Sequence, residues 1–344
     1  MDLKKKYENI VDKMKNIDYE NIWQDFHQYN IALYDDNSVC YQGRLFPKTN
    51  EFIANTSIKY NNEMIGIWYL QEDLDDDILT SKLIHETFHA FQSENNESRF
   101  PNEIEALLNY KYDLNNLTLK TAENKLIVEL LESFNKDLFD KLISIRKNRL
   151  SLYPYEVKYE MSIEQIEGTA NYVELESLRQ LDYSKYLKKF NQMKKSILNP
   201  NNLFPIRIVS YDVGALLIKI LIDNALTINY DFNENNYLDF YLKTYDYADF
   251  KIKESIELKK LIEQFFSETK YLIEKSVKKE NLITEGNYEL LGVNIYNARY
   301  LNNFIITEYF LMYKENDHDK ILNGDFVIKI NEKSNILEVY KLTR

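Results

Sequence analysis

Leu83-Ile84-His85-Glu86-Thr87-Phe88-His89-Ala90-Phe91-Gln92 is the stretch on which the reading of this chain turns. It holds two of the four histidines in 344 residues, with a glutamate directly after the first. Leu83, Ile84, Phe88 and Phe91 recur at helical spacing, so the segment is read as a buried helix. At about 3.6 residues per turn, positions i and i+4 lie on one face. His85 and His89 can therefore reach one ion, with Glu86 to the side of it. Two imidazoles, a third protein ligand and an open water position describe zinc arranged for hydrolysis, and Glu86 can take the proton from that water.

Working outward, the acidic run Asp73-Leu74-Asp75-Asp76-Asp77 suits the positive end of a helix dipole and places the motif helix at about 77–93. Before it, 31–70 reads as strands. Phe52, Ala54, Thr56, Ile58 and Tyr60 alternate, Asn61-Asn62 suits a hairpin turn, and 64–70 returns as a second strand. Tyr7, Ile10, Val11, Met14 and Ile17 predict a helix over 3–28. After the motif, Pro101 opens a helical stretch. A long helix is expected over 119–150, with Ala122, Leu126, Leu130, Phe134 and Leu138 as its spine. Further helices are expected at 160–181, 206–226 and 256–277. Beyond Leu282 the chain turns to β-branched and aromatic runs at 304–313, 326–330 and 336–342. Gly324-Asp325 and Lys333-Ser334-Asn335 supply turns between them. The expectation is an α+β protein: a mainly helical domain over 1–281 containing a small sheet, then a β-rich module over 282–344.

Composition narrows the function classes. Hydrophobic residues at 44% and charged residues at 28% describe an ordinary globular chain. Seven glycines and five prolines are few, which favours long helices over a many-turned sandwich. The net charge of −12 disfavours nucleic acid as a partner, since no basic face offsets it. No apolar stretch reaches the roughly 20 residues needed to span a bilayer, and the N-terminus lacks the apolar region of a signal peptide. Cys40 stands alone and cannot form an internal disulfide. A reduced, cytoplasmic setting is the expectation.

A third metal ligand is needed. The extended metzincin motif requires glycine at 92 and histidine at 95, where Gln92 and Asn95 stand. His27 and His318 lie far away in helix-end and loop contexts. A carboxylate from another helix is the better source, and Glu167 leads. Glu164, Glu167, Asn171 and Glu174 fall at i, i+3, i+7 and i+10, one polar ridge on a fairly apolar helix. Gly168, Thr169 and Ala170 would let a second helix come close, and Asn171 could bond a ligand from behind. Glu103 and Glu105 rank second. Glu164 and Glu174 also read as helix-face charges. Farther on, Arg207, Tyr211 and Gly214 sit at i, i+4 and i+7 of a strongly apolar helix. They predict a face turned to a polar cavity, with Gly214 leaving room for substrate or a neighbouring backbone. Tyr211 as a core residue bonded to Arg207 or Asp212 is the plainer reading.

The motif at 83–92, with Glu167-Gly168-x-Ala170-x-Tyr172-x-Glu174, resembles the gluzincin zinc metallopeptidases, the thermolysin-like class. It is most similar to a bacterial branch whose second motif reads Glu-Gly-x-Ala-x-Tyr-x-Glu. Asn171 stands where the family signature has aspartate. The resemblance implies a zincin-like domain with Zn²⁺ held by His85, His89 and Glu167, and Glu86 as general base. It further implies Tyr211, Arg207 or His27 as support for the oxyanion. The expected substrate is a peptide or unfolded protein, its backbone paired to the strand at 64–70. Two alternatives stand beside it: a zinc hydrolase of a non-peptide amide, and a metal-binding regulatory protein without turnover.

Overall fold

The computed structural model describes residues 2–72, 74–232, 235–245 and 253–344, so Met1 and Asp73 of the acidic run lie outside the described residues. The architecture is α+β, with a small N-terminal sheet, a helical body and an antiparallel C-terminal module. Helix α1 (Leu3–Met14) opens the chain. It ends well short of residue 28, because Asn16 and Ile17 leave the helix in a turn and the segment beyond packs irregularly. Tyr19, Ile22, Trp23 and Phe26 are nevertheless buried, so the apolar spacing reported burial and not helix.

Five strands follow: β1 (Ile31–Tyr34), β2 (Ser38–Tyr41), β3 (Arg44–Pro47), β4 (Thr56–Tyr60) and β5 (Glu63–Tyr69). Their order is β3-β2-β1-β5-β4, with β1 and β5 parallel and the other pairs antiparallel. Asn61 and Asn62 both take positive φ, 49° and 66°, and close the β4–β5 hairpin as the sequence predicts. Ile31, Leu33 and Cys40 of the sheet face the helices, while Ala32, Tyr34, Ile65 and Ile67 form a second cluster capped by Phe52.

Helix α2 (Asp76–Glu94) carries the motif and lies on this sheet. Asp75 caps it by accepting from the backbone N–H of Asp77 and Ile78. Leu83, Ile84, Phe88 and Phe91 are at most 3% exposed, each contributing roughly 1.5–3 kcal/mol by burial. Gly66 of β5 makes the close approach possible, since a Cβ there would lie 2.9 Å from the Thr87 methyl and 3.4 Å from Glu86 Cβ.

The helical body runs through α3 (Glu103–Asn109), α4 (Leu114–Glu132), α5 (Lys136–Leu152) and α6 (Pro154–Ile163), then α7 (Thr169–Leu181) and α8 (Tyr183–Leu198). After these come α9 (Ile206–Asp223), α10 (Asp239–Thr244) and α11 (Ile256–Ser276). The single helix expected over 119–150 is two helices. Asn135 caps α5 by accepting from the N–H of Asp137 and Leu138, and Phe134 lies in the link, not on a spine. The helix expected at 160–181 is interrupted by a π-turn at Glu164–Gly168. Among the described residues no helix is long and apolar enough to cross a membrane.

The last segment begins at Leu282 with β6 (Leu282–Val293), followed by β7 (Arg299–Leu301), β8 (Phe304–Thr307) and β9 (Phe310–Glu315). Strands β10 (His318–Asn323), β11 (Phe326–Ile330) and β12 (Ile336–Lys341) complete it. The sheet order is β10-β9-β6-β12-β11-β8-β7, antiparallel throughout. Ile104, Leu107 and Leu108 of α3 pack on one core of this module, and Leu272 and Ile273 of α11 on the other. The module is thus seated on the helical body.

Candidate metal centre

Helix α2 and the π-turn bring three donor groups together. His85 Nε2 lies 3.1 Å from His89 Nε2, and Glu167 Oε2 lies 3.7 Å from the first and 3.4 Å from the second. Four ligands placed tetrahedrally at about 2.0–2.1 Å from zinc are roughly 3.3 Å apart. The triangle therefore has the size of one face of such a site. Two imidazole nitrogens with one carboxylate oxygen are also the donor chemistry zinc takes in hydrolytic sites.

The outer atoms of His89 and Glu167 are hydrogen-bonded, and that of His85 lies beside a carboxylate without a hydrogen bond. His89 Nδ1 is 2.7 Å from Gln92 Oε1, which accepts its proton and leaves Nε2 with a free lone pair. Gln92 in turn donates to the Ile166 carbonyl at 3.0 Å and the Thr169 hydroxyl at 2.9 Å, tying α2 to the π-turn. His85 Nδ1 faces Glu174 Oε2 at 3.5 Å, and Glu174 is ion-paired to Lys189. Glu167 Oε1 accepts from Arg207 Nη2 at 3.1 Å, which reserves Oε2 for the imidazoles.

The charges explain the titration of these groups. Burial would lower the pKa of His85, but the Glu167 and Glu174 carboxylates outweigh it and hold the ring at about 10. Burial pushes Glu167 up, and the two imidazoles more than reverse this, leaving it far below the usual carboxylate range. Burial raises Glu86, only partly countered by the two histidines. Three carboxylates thus stand around the two imidazoles, with Lys189 paired to Glu174 and Arg207 to Glu167.

The expected polar ridge on the Glu167 helix is divided. An α-helix would set Glu164 and Glu167 on one face, but the wider π-turn sends them apart. Glu164 is no solvated charge. It is fully buried, bonded by Arg146 and Tyr237 and lying 3.4 Å from Lys120. Among the described residues Asn171 makes no hydrogen bond to either imidazole, and Gln92 and Glu174 occupy the supporting positions instead. Tyr172 and Ala170 are buried in the core. Glu103 does not join the triangle, being paired with Arg207 and accepting from Tyr159 at 2.8 Å. Glu105 is exposed beside Asn102. His27 is exposed and stacks on Tyr29 at 4.7 Å, and His318 lies exposed on β10.

Arg207 and Tyr211 stand next to the triangle. Arg207 Nη2 also donates to the Tyr211 hydroxyl at 2.8 Å. Burial first, then the Glu167 charge, keeps that hydroxyl well above its usual pKa and hence protonated. Tyr296 from the β6–β7 connection reaches the same place, with its hydroxyl 3.0 Å from that of Tyr211. Gly214 serves a neighbouring backbone and not a ligand. A Cβ there would sit 2.7 Å from the Glu164 carbonyl, and one on Gly168 would sit 2.7 Å from Gly214 Cα. The strand at 64–70 is not available for backbone pairing, because β5 is bonded to β1 on one side and β4 on the other. Among the described residues the unpaired edge beside α2 belongs to β4.

Gln92 sits three residues beyond His89, a helical spacing that marks it as a partner. Tyr296 carried no signal, being far from the motif in sequence. Compared with known proteins, the chain matches no family model, no curated protein and no solved structure.

Proposed function

We propose that this chain is a zinc-dependent metallopeptidase with Glu86 as general base. The triangle of His85 Nε2, His89 Nε2 and Glu167 Oε2 carries this reading, because its edges of 3.1, 3.7 and 3.4 Å fit one tetrahedral ion. Bound there, zinc would supply Lewis acidity and bring the pKa of water towards about 7. Glu86, raised by burial, takes the proton of the attacking water and passes it to the leaving amine. Tyr211 keeps its proton and is the donor available to a developing oxyanion. Arg207 orients both Tyr211 and Glu167. Tyr296 closes the same side, and the free edge of β4 offers backbone pairing to an extended peptide.

The test begins with metal content after purification without added metal. About one zinc per chain is expected, absent from His89→Ala and reduced in Glu167→Ala. Glu86→Gln should keep the metal and lose cleavage of a mixed peptide library read by mass spectrometry. Unchanged cleavage by that variant would remove Glu86 from its role. A metal-loaded protein that cuts no peptide would overturn the peptidase reading.

A further inference from the structure

A cavity of about 460 Å³ lies between the helical body and the C-terminal module, and Arg207, which bonds Glu167, is in its wall. The volume is within the range of about 300–1,000 Å³ found for ligand pockets. Rings line it: Tyr110, Tyr112 and Tyr159 from the helical body, Phe265 and Phe266 from α11, and Tyr300 from β7. Ala106, Leu107 and Ile295 complete the apolar wall.

The charges in the wall are paired with one another, although the buried Arg207 Nε–H has no hydrogen-bond partner. Arg207 is paired with Glu103 and Glu167, and Glu103 also accepts from Tyr159. Arg299 stacks over the Phe265 ring at 4.9 Å and reaches Glu268 at 3.5 Å. Lys111 and Asp113, of opposite sign, are exposed at the rim. A charged occupant would have to compete with these ion pairs, whereas a flat uncharged ring meets ring faces and edges on several sides, with the Arg207 Nε–H left as a donor beside it. Arg207 and Glu103 line this cavity while Arg207 also bonds Glu167, so one side chain is common to the cavity and the metal triangle.

We infer that this cavity binds an aromatic side chain of the peptide held at the metal centre, and that the C-terminal module supplies half of that specificity pocket. The inference rests on the peptidase reading for its substrate, while the cavity can be probed without it. Ala106→Phe fills the cavity from α3, and Ile295→Trp fills it from the opposite wall. Neither residue belongs to the metal centre.

The wild-type protein should cut a mixed peptide library at a constant offset from Phe, Tyr or Trp. Each filled variant should lose about tenfold or more in kcat/KM on those peptides, as a pocket of this kind discriminates, and cut small-residue peptides as before. Cleavage without aromatic preference, or preference retained in both folded variants, would overturn the inference and leave the peptidase reading intact. Failure to cut any peptide would instead remove the peptidase reading. The cavity is then tested by NMR binding of N-acetyl-phenylalaninamide. Binding lost in Ala106→Phe and Ile295→Trp supports an aromatic site, and equal or absent binding overturns it.

Discussion

Asp212 illustrates how a single partly buried residue sets a pH response outside the metal triangle. Burial raises its carboxyl to about 6, with the Ser196 hydroxyl and Lys189 pulling part of the way back and Glu174 adding to the rise. An unfolded aspartate titrates at about 4. The folded state therefore holds this proton more tightly than the unfolded one. Its contribution is complete below about pH 4 and is lost as pH rises through 6, a change of about 3 kcal/mol. Asp212→Asn should remove that dependence, gaining on the wild type between pH 4 and 7 in chemical unfolding. A constant difference between the two proteins over that range would contradict this account. Gln92 acts on the His89 ring instead. Gln92→Ala should weaken zinc about 10–100-fold, as expected for the residue that orients a ligating imidazole. Competition with a chelator of known affinity measures it.

At the scale of elements, the π-turn and the helices around it decide where Glu167 points. Glu164, at the start of that turn, is anchored in a cluster of three cations and three carboxylates: Lys120, Arg146, Arg149, Glu123, Glu160 and Glu164. None of their side chains exceeds 2% exposure. Removing one partner strands a buried charge, so Arg146→Met should cost about 3–5 kcal/mol in urea unfolding. Arg146→Met combined with Glu164→Gln should recover much of that loss, and a strictly additive pair would show that the two side chains are not coupled. The Gly168–Gly214 crossing is the other constraint. Gly214→Ala drives a methyl to 2.7 Å from the Glu164 carbonyl, and separating the helices should cost at least about 1–3 kcal/mol. Zinc affinity should fall with it, because Gln92 reads the Ile166 and Thr169 positions of the same turn.

For the whole molecule, the helical body and the C-terminal module share apolar cores through α3 and α11, and they share Tyr296 at the metal centre. On the proposed reading, metal bound at this junction should stabilise the protein. Zinc at a hundredfold excess over its Kd should add about 2.7 kcal/mol to unfolding. Scanning calorimetry with and without a chelator reads this as a reversible fall in Tm. A Tm indifferent to zinc would mean that no ion binds preferentially to the fold.

Local sequence determined much of this protein. The spacing of His85, Glu86 and His89 with Leu83, Ile84, Phe88 and Phe91 made the motif helix and its buried face legible, because both depend only on the helical period. The Asn61-Asn62 turn was legible because asparagine tolerates positive φ. The acidic cap was legible because a helix N-terminus attracts negative charge. The break at Asn135 was obscured by apolar spacing that continued across it. The early end of α1 was obscured in the same way. Tertiary structure alone decided that Glu164 and Glu167 meet different partners, since the segment is buried on nearly every side and its apolar period cannot mark the extra residue of the π-turn. It alone made Gln92 and Glu174 the supports of the imidazoles, and it alone carried Tyr296 across to Tyr211. Contacts between residues so far apart are set by how helices and sheets close on one another, and no local preference encodes that.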